Sequence, residues 1–426
     1  ASKSLLAELP KTEFTGYTDY KTDAKIIAIL AEDESVQSVS EGECEVILDK
    51  TPFYGEGGGQ VGDTGTIYKD GAVLTVYDTK KTDGVYVHLC TVASGIFKVG
   101  DSVTADIDDA RRDAVKRNHS ACHLLQAALR RVLGSHVEQA GSYVDNERCR
   151  FDFTHFSAVE PEELRRVEDL VNEKILEGIP VDTVVTDIDE AKKMGAMMLF
   201  GEKYGKIVRV VKMGDASTEF CGGTHVDNTA KIGLFHIVSE SSVAAGVRRI
   251  ECVTGLESLK QLREKDALLA ETAREIKAQN VGELPKRGAA VIAEVKELKR
   301  EIEALNAKLA ASKLDAIMSG AVDLGKYKLV RGKLEGMNVA AARSLADGIK
   351  ASHPDTVALL AVVCDGKLNF VCAAGADAVK AGAHAGKLVS AVAAVAGGKG
   401  GGRPDSAMAG APDLSKIDEA LDSAAK

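Results

Sequence analysis

Two short stretches about 100 residues apart constrain this chain more than anything else in it: His119-Ser-Ala-Cys-His123 and Cys221-Gly-Gly-Thr-His225. The first lies in a segment, 110–133, whose apolar residues Val115, Cys122, Leu125, Ala128, Leu129 and Val132 recur at helical spacing, with Gly134 as a stop. Residues four apart on a helix share a face, so both imidazoles can reach one ion. Cys122, one position before His123, points elsewhere on that helix. In the second stretch Gly222 and Gly223 let a loop close on itself. Three imidazoles and one thiolate are donors that zinc favours, so His119, His123, Cys221 and His225 are expected to hold Zn2+. A fold that does this must bring two distant segments together. The nearest generic motif is the His-Glu-x-x-His of zinc peptidases, but Ser120 stands where its general base would be. Four protein ligands close a tetrahedral ion, whereas catalysis needs an open position, and the sequence does not choose between them.

Around this constellation the texture changes several times, and the reading is a multidomain α+β chain. Residues 1–108 carry short β-branched runs at 25–30, 44–49 and 72–77, broken by turn residues, as in a small antiparallel β-barrel or sandwich. The glycine-rich stretch 51–65, Thr-Pro-Phe-Tyr-Gly-Glu-Gly-Gly-Gly-Gln-Val-Gly-Asp-Thr-Gly, interrupts it. Residues 109–255 mix helices (110–133, 160–177) with strands (141–154, 181–186, 208–213, 235–241, 248–254) without a regular βαβ repeat, which makes an α+β domain. Over 256–320, Val291, Val295, Leu298, Ile302, Leu305 and Leu309 are spaced 4-3-4-3-4, a coiled-coil seam. Leu262, Leu269 and Ile276 form an earlier seven-residue series, and 282–285 separates the arms, so a helical hairpin is expected. Residues 321–426 return to α/β, with strands near 327–330, 357–363 and 368–372 and a second glycine loop at 397–410.

Charge and composition exclude several classes. A net charge of −10 argues against a general nucleic-acid coat and against DNA, though not against a local RNA-binding face. The least acidic part is 321–426, with 13 Lys/Arg against 11 Asp/Glu. No apolar run reaches the ~18 residues of a membrane span, and residues 1–12 carry no secretion signal. Eight cysteines over 426 residues make no small disulfide framework, so a reduced, cytoplasmic setting is expected. Cys44, Cys90, Cys149, Cys252, Cys364 and Cys372 read as buried thiols.

Four stretches together resemble a known family. His-Ser-Ala-Cys-His, the run Ser135–Ser142 (Ser-His-Val-Glu-Gln-Ala-Gly-Ser), Cys-Gly-Gly-Thr-His-Val and Gly246–Gly255 resemble the editing domain of alanyl-tRNA synthetase and of the freestanding AlaX proteins. The stretch 51–65 resembles the glycine-rich segment of the barrel preceding that domain, and Gly-Gly-Lys-Gly-Gly-Gly-Arg-Pro-Asp resembles the signature of the C-terminal C-Ala domain. The usual Ser-Gly-Gly-Gln of the barrel loop has Gly57 in the Ser position, so no hydroxyl contact is expected there. The chain starts at Ala1 without Met, and Phe14–Tyr17 resembles the segment on the C-terminal side of the family's aminoacylation and tRNA-recognition domains. It therefore reads as an excised C-terminal part rather than a freestanding AlaX.

The resemblance implies hydrolysis of tRNA(Ala) mischarged with Ser or Gly. The zinc either polarises a water or anchors the aminoacyl end. An alanine pocket discriminates against such neighbours by only ~1–3 kcal/mol, so a second site requiring a hydroxyl contact improves selection. Gln139 is a candidate for gripping the substrate and Thr224 for donating to the ester carbonyl. Gly57, Gly58, Gly59, Arg248, Arg249, Lys399 and Arg403 are candidates for contacts to substrate or tRNA. The C-Ala resemblance also implies contact with the outer corner of the tRNA and a homodimer through the C-terminal region. The competing reading is a non-catalytic tRNA-binding and dimerisation module with a structural zinc. A threonyl-type editing domain shares the metal pattern but predicts neither glycine signature.

Overall fold

The computed structural model describes residues 3–198 and 204–426, which divide into two compact units, Ala1–Leu268 and Leu269–Lys426. The first unit begins with a closed barrel. Strands β1 (Lys21–Ala31), β2 (Glu43–Leu48), β3 (Gly65–Lys69), β4 (Ala72–Thr82), β5 (Val85–Ser94) and β6 (Ser102–Ile107) surround its core in the order β6-β3-β4-β5-β2-β1. Antiparallel pairing of β6 with β1 shuts the ring, which leaves no bare sheet edge at the closure. Alternating burial along β1 and β6 sends Ala24, Ile26, Val103 and Ala105 inward with Val46, Leu48, Phe53 and Ile67.

The glycine-rich stretch leaves the barrel and is stitched to β7 (Gln139–Val144): the Val61 amide donates to the Val144 carbonyl, and the Val144 amide to that of Gly59. Gly59 has φ +84, and a Cβ there would run into the backbone and hydroxyl of Ser142, so only glycine fits.

After the barrel comes helix α1 (Asp109–Leu133), capped by the Asp108 carboxylate, which accepts from the Arg111 amide. It packs with α2 (Pro161–Leu176) against a four-stranded antiparallel sheet of β7, β8 (Cys149–Thr154), β13 (Val247–Val253) and β12 (His236–Ala244). Leu125, Leu129, Phe151, Phe153, Val167 and Ile250 fill this core. A smaller sheet, β9 (Val181–Asp187), β10 (Ile207–Met213) and β11 (Ser217–Phe220), ends directly at Cys221. Arg112 has no exposed surface. It forms an ion pair with Asp63 and donates to the carbonyls of Gly16 (2.6 Å) and Pro52 (2.7 Å), joining the first turn of α1 to the base of the glycine loop.

One cysteine expectation is corrected. Cys122, on the α1 face turned toward the sheet, is joined to Cys149 at the start of β8 in a disulfide, so Cys149 is not a free thiol. Cys44, Cys90, Cys252 and Cys372 are buried thiols as expected, while Cys364 is only half-buried.

Helices α3 (Gly255–Glu275) and α4 (Leu284–Ser319) come next, joined by a turn in which Arg287 donates to the Ile276 carbonyl. The expected seam on α4 is not closed by the preceding arm: Val295, Leu298, Ile302, Leu305 and Leu309 are all exposed, Ile302 by 57%.

The second unit is built on a mixed sheet. Its main strands are β14 (Lys328–Glu335), β15 (Thr356–Cys364), β16 (Lys367–Ala374), β17 (Lys399–Gly402) and β18 (Ser406–Ala411), in the order β14-β15-β16-β18-β17. Only β14 and β15 run parallel, linked through α5 (Val339–Ser352), so the α/β expectation holds for one βαβ crossover and the rest is antiparallel. The second glycine stretch is correspondingly not a loop. It forms the edge hairpin β17–β18, and its glycines let α6 (Ala385–Val395) pack close, with Gly386 against the Gly402 backbone. Among the described residues, no helix is long and apolar enough to cross a membrane.

Replacing Arg112 by Leu leaves the Asp63 carboxylate buried without its cation, and a loss of about 3–5 kcal/mol is expected. Urea unfolding monitored by circular dichroism measures it, and the double variant Arg112→Leu/Asp63→Leu is expected to recover much of the loss.

Candidate metal centre

Helix α1 presents His119 and His123 one turn apart on one face, and the chain leaving β11 brings Cys221 and His225 to meet them. One ligand-capable atom from each of the four lies within 4.8 Å of all the others. Nε2 of His119 is 3.5 Å, and Nε2 of His225 is 3.2 Å, from the Cys221 sulfur. The outer nitrogens face protein oxygens. Nδ1 of His119 is 2.7 Å from Gln60 Oε1, and Nδ1 of His225 is 3.0 Å from Ser120 Oγ. Nδ1 of His123 lies 3.1 Å from Glu219 Oε2, without the alignment of a hydrogen bond. Such outer partners fix the tautomer and turn of an imidazole, leaving the inner nitrogen for a cation.

The loop itself is held rigidly. Gln60, fully buried, donates from Nε2 to Thr224 Oγ1 (2.8 Å) and accepts at Oε1 from the Thr224 amide (2.9 Å). A Cβ on Gly223 would collide with the His119 ring and with Gln60, which explains glycine at that position. Arg209 donates to the carbonyls of Cys221 (3.2 Å) and Gly223 (2.8 Å) while its guanidinium sits 3.9 Å from the centre of the Tyr17 ring. The Tyr17 hydroxyl donates to the Gly222 carbonyl (2.5 Å).

Burial sets the protonation. It pulls His119 down to about 4, with the Arg209 charge as a lesser cause, and puts His123 and His225 well below the ordinary histidine range, helped by their neighbouring imidazoles. The Cys221 thiol is pushed up to about 12 and Glu219 up to about 8, again chiefly by burial. All three imidazoles are therefore neutral near pH 7 with lone pairs available. The thiol keeps its proton until a cation displaces it. A site of this donor type fits a borderline divalent ion.

A cleft of about 390 Å³ opens onto this cluster, lined by Cys221, Gly222, Gly223, Gly57, Gly58 and Tyr54 among others. Of the residues singled out from sequence, Cys221, Gly57 and Gly58 line this cleft, while His119, His123, His225 and Thr224 are gathered behind Cys221 and Gly59 packs against Ser142. Gln139 is half-buried at the start of β7, opposite Phe153, outside the cleft lining. Arg248 pairs with Glu240 (2.5 Å) and Arg249 with Asp152 (2.8 Å), so both cations are already matched. Lys399 and Arg403 lie in the second unit, both exposed, with Arg403 Nε 3.6 Å from Asp405. Sequence reasoning passed over Gln60, Ser120, Arg209 and Glu219 as contributors. Gln60 had a signal, since it ends the glycine run, whereas nothing local marked Arg209.

Comparisons with known proteins give the family. Residues 1–111 match the tRNA synthetases class II (A) family, 208–251 the threonyl and alanyl tRNA synthetase second additional domain, and 326–426 the DHHA1 domain. The fold and site thus define a piece of tRNA synthetase machinery. The alanine--tRNA ligase of Acetivibrio thermocellus is 49% identical over 425 residues, covering 99% of this chain and 48% of that protein. Those of Bacillus velezensis and Clostridioides difficile are 47% and 45% identical over 97% and 98% of this chain. The chain belongs to the alanyl-tRNA synthetase family, corresponding to its C-terminal part. It spans about half the length of the curated relatives it matches. The C-Ala domain of Aquifex aeolicus alanyl-tRNA synthetase is similar at 27% identity, covering 25% of this chain and 94% of that one, with a TM-score of 0.24.

Adding Zn2+ to metal-free protein at pH 7.5 is expected to release at least one proton per ion, the first from Cys221, because the imidazoles are already neutral, with Glu219 beside His123 the source of any more. Calorimetry in two buffers of different ionisation enthalpy counts it. Cys221→Ala is expected to release about one proton fewer and to bind the ion at least about tenfold more weakly.

Proposed function

We propose that the first unit hydrolyses the ester of tRNA(Ala) mischarged with Ser or Gly, at a Zn2+ held by His119, His123, Cys221 and His225. The observation that carries this is the convergence of four ligand atoms within 4.8 Å, one of which, on Cys221, lines a cleft shared with the barrel's glycine loop. When bound, the ion would supply a Lewis acid beside the aminoacyl end. The protein's own groups do the positioning. Thr224 Oγ1 accepts from Gln60, so its hydroxyl proton remains available to donate to the ester carbonyl or to a serine side chain. Water adds at the carbonyl carbon, the acyl–oxygen bond breaks and the ribose oxygen leaves with a proton. For serine, a site built to pair with the substrate hydroxyl leaves a buried group unpaired when alanine enters, and so favours the seryl over the alanyl ester. Gly57 and Gly58, lacking side chains, let the substrate lie close to backbone.

The second unit supplies tRNA contact. Exposed Lys399 and Arg403 on its β17 edge suit phosphate or sugar. The uncovered seam of α4 is the surface through which a homodimer would form. The alternative, a non-catalytic tRNA-binding and dimerisation module, draws support from the four-ligand set itself, which is that of a closed structural zinc.

Deacylation of Ser-tRNA(Ala), Gly-tRNA(Ala) and Ala-tRNA(Ala) by the chain, against Cys221→Ala, separates the two. Hydrolysis of the first two with Ala-tRNA(Ala) spared is expected, falling on the order of 10²-fold or more in the variant. Equal rates from both proteins remove the metal centre from the chemistry.

A further inference from the structure

Among the described residues lining the cleft, only two carry charge, Lys81 and Arg209, and both are cations. No described carboxylate lines it, in a chain whose net charge is −10. Its phenols stay neutral, since burial pushes Tyr86 up to about 12 and raises Tyr17 and Tyr54 as well. Arg209 is committed to two carbonyls of the metal loop. Lys81 is not: among the described residues it has no ion-pair partner, whereas the adjacent Lys80 is paired with Glu56 and with Asp78. Lys81 is exposed, its stem close to the Gly55 backbone and its ammonium 5.5 Å from the centre of the Tyr86 ring on the cleft wall.

A cleft whose charged described residues are both cations, and which reaches Cys221 of the cluster, is suited to an anion attached to the reacting group. Resting on the hydrolytic reading above, we infer that Lys81 holds the 5′-phosphate of the terminal adenosine and so places the aminoacyl ester at the His/Cys cluster. Lys81 is then a positioning residue. It acts through the nucleotide and touches no reacting atom.

Equilibrium binding of adenosine 5′-monophosphate and of adenosine to the full chain tests the phosphate contact without any turnover. The monophosphate is expected to bind on the order of tenfold more tightly than adenosine, as one charge-assisted hydrogen bond allows. Lys81→Met is expected to erase that difference and Lys80→Met to preserve it. For 3′-seryl-tRNA(Ala), Lys81→Met should raise KM with kcat little changed, and for 3′-O-seryl-adenosine, which lacks the phosphate, it should change neither. Equal binding of adenosine and its 5′-monophosphate by the unaltered chain, or equal losses from Lys80→Met and Lys81→Met, would overturn the assignment. A Lys81-dependent preference for the monophosphate in a chain that hydrolyses no seryl ester leaves the phosphate contact standing and sinks the hydrolytic reading instead.

Discussion

The side-chain amide of Gln60 ties three segments together at once: the barrel's glycine loop that carries it, helix α1 through His119, and the metal loop through Thr224. A buried amide left unpaired costs about 1–3 kcal/mol, so these partners are mutually required. The same contact sets which nitrogen of His119 faces inward. Barrel and metal cluster are therefore one construction, and their residues fall in a single compact unit.

Charge placement reinforces that construction. The Arg112–Asp63 pair is buried where the glycine loop meets α1, and its guanidinium also satisfies two backbone carbonyls, Gly16 of the barrel lead-in and Pro52 at the base of the loop. Buried ion pairs contribute little net stability compared with apolar packing, but a mispaired alternative is heavily penalised. On the other side of the site, Arg209 neutralises loop carbonyls rather than a carboxylate. Its charge helps keep the imidazoles unprotonated. Ligand geometry and ligand protonation thus draw on the same few polar groups.

Outside this unit the structure is more conventional. The second glycine stretch has become an edge hairpin because successive glycines let strand and helix backbones approach closely, whereas the first remains a loop because it must reach across to β7. Similar composition yields different structure, decided by what lies alongside. The α4 seam shows the same limit in another form: its heptad spacing was legible, but spacing does not say which surface covers it.

Local pattern alone was enough to place α1 with its paired histidines and the barrel strands, because helical and strand periods are short-range properties, while the family came from the resemblance of whole motifs. It was not enough to place Gln139 away from the cleft, to match Arg248 and Arg249 with Glu240 and Asp152, or to join Cys122 to Cys149. It could not enlist Gln60, Arg209 or Glu219 around the ligands either. Those outcomes depend on which side chains meet across separations from eight to more than 160 residues. Only tertiary packing decides such encounters, because burial is what makes each polar group find a partner.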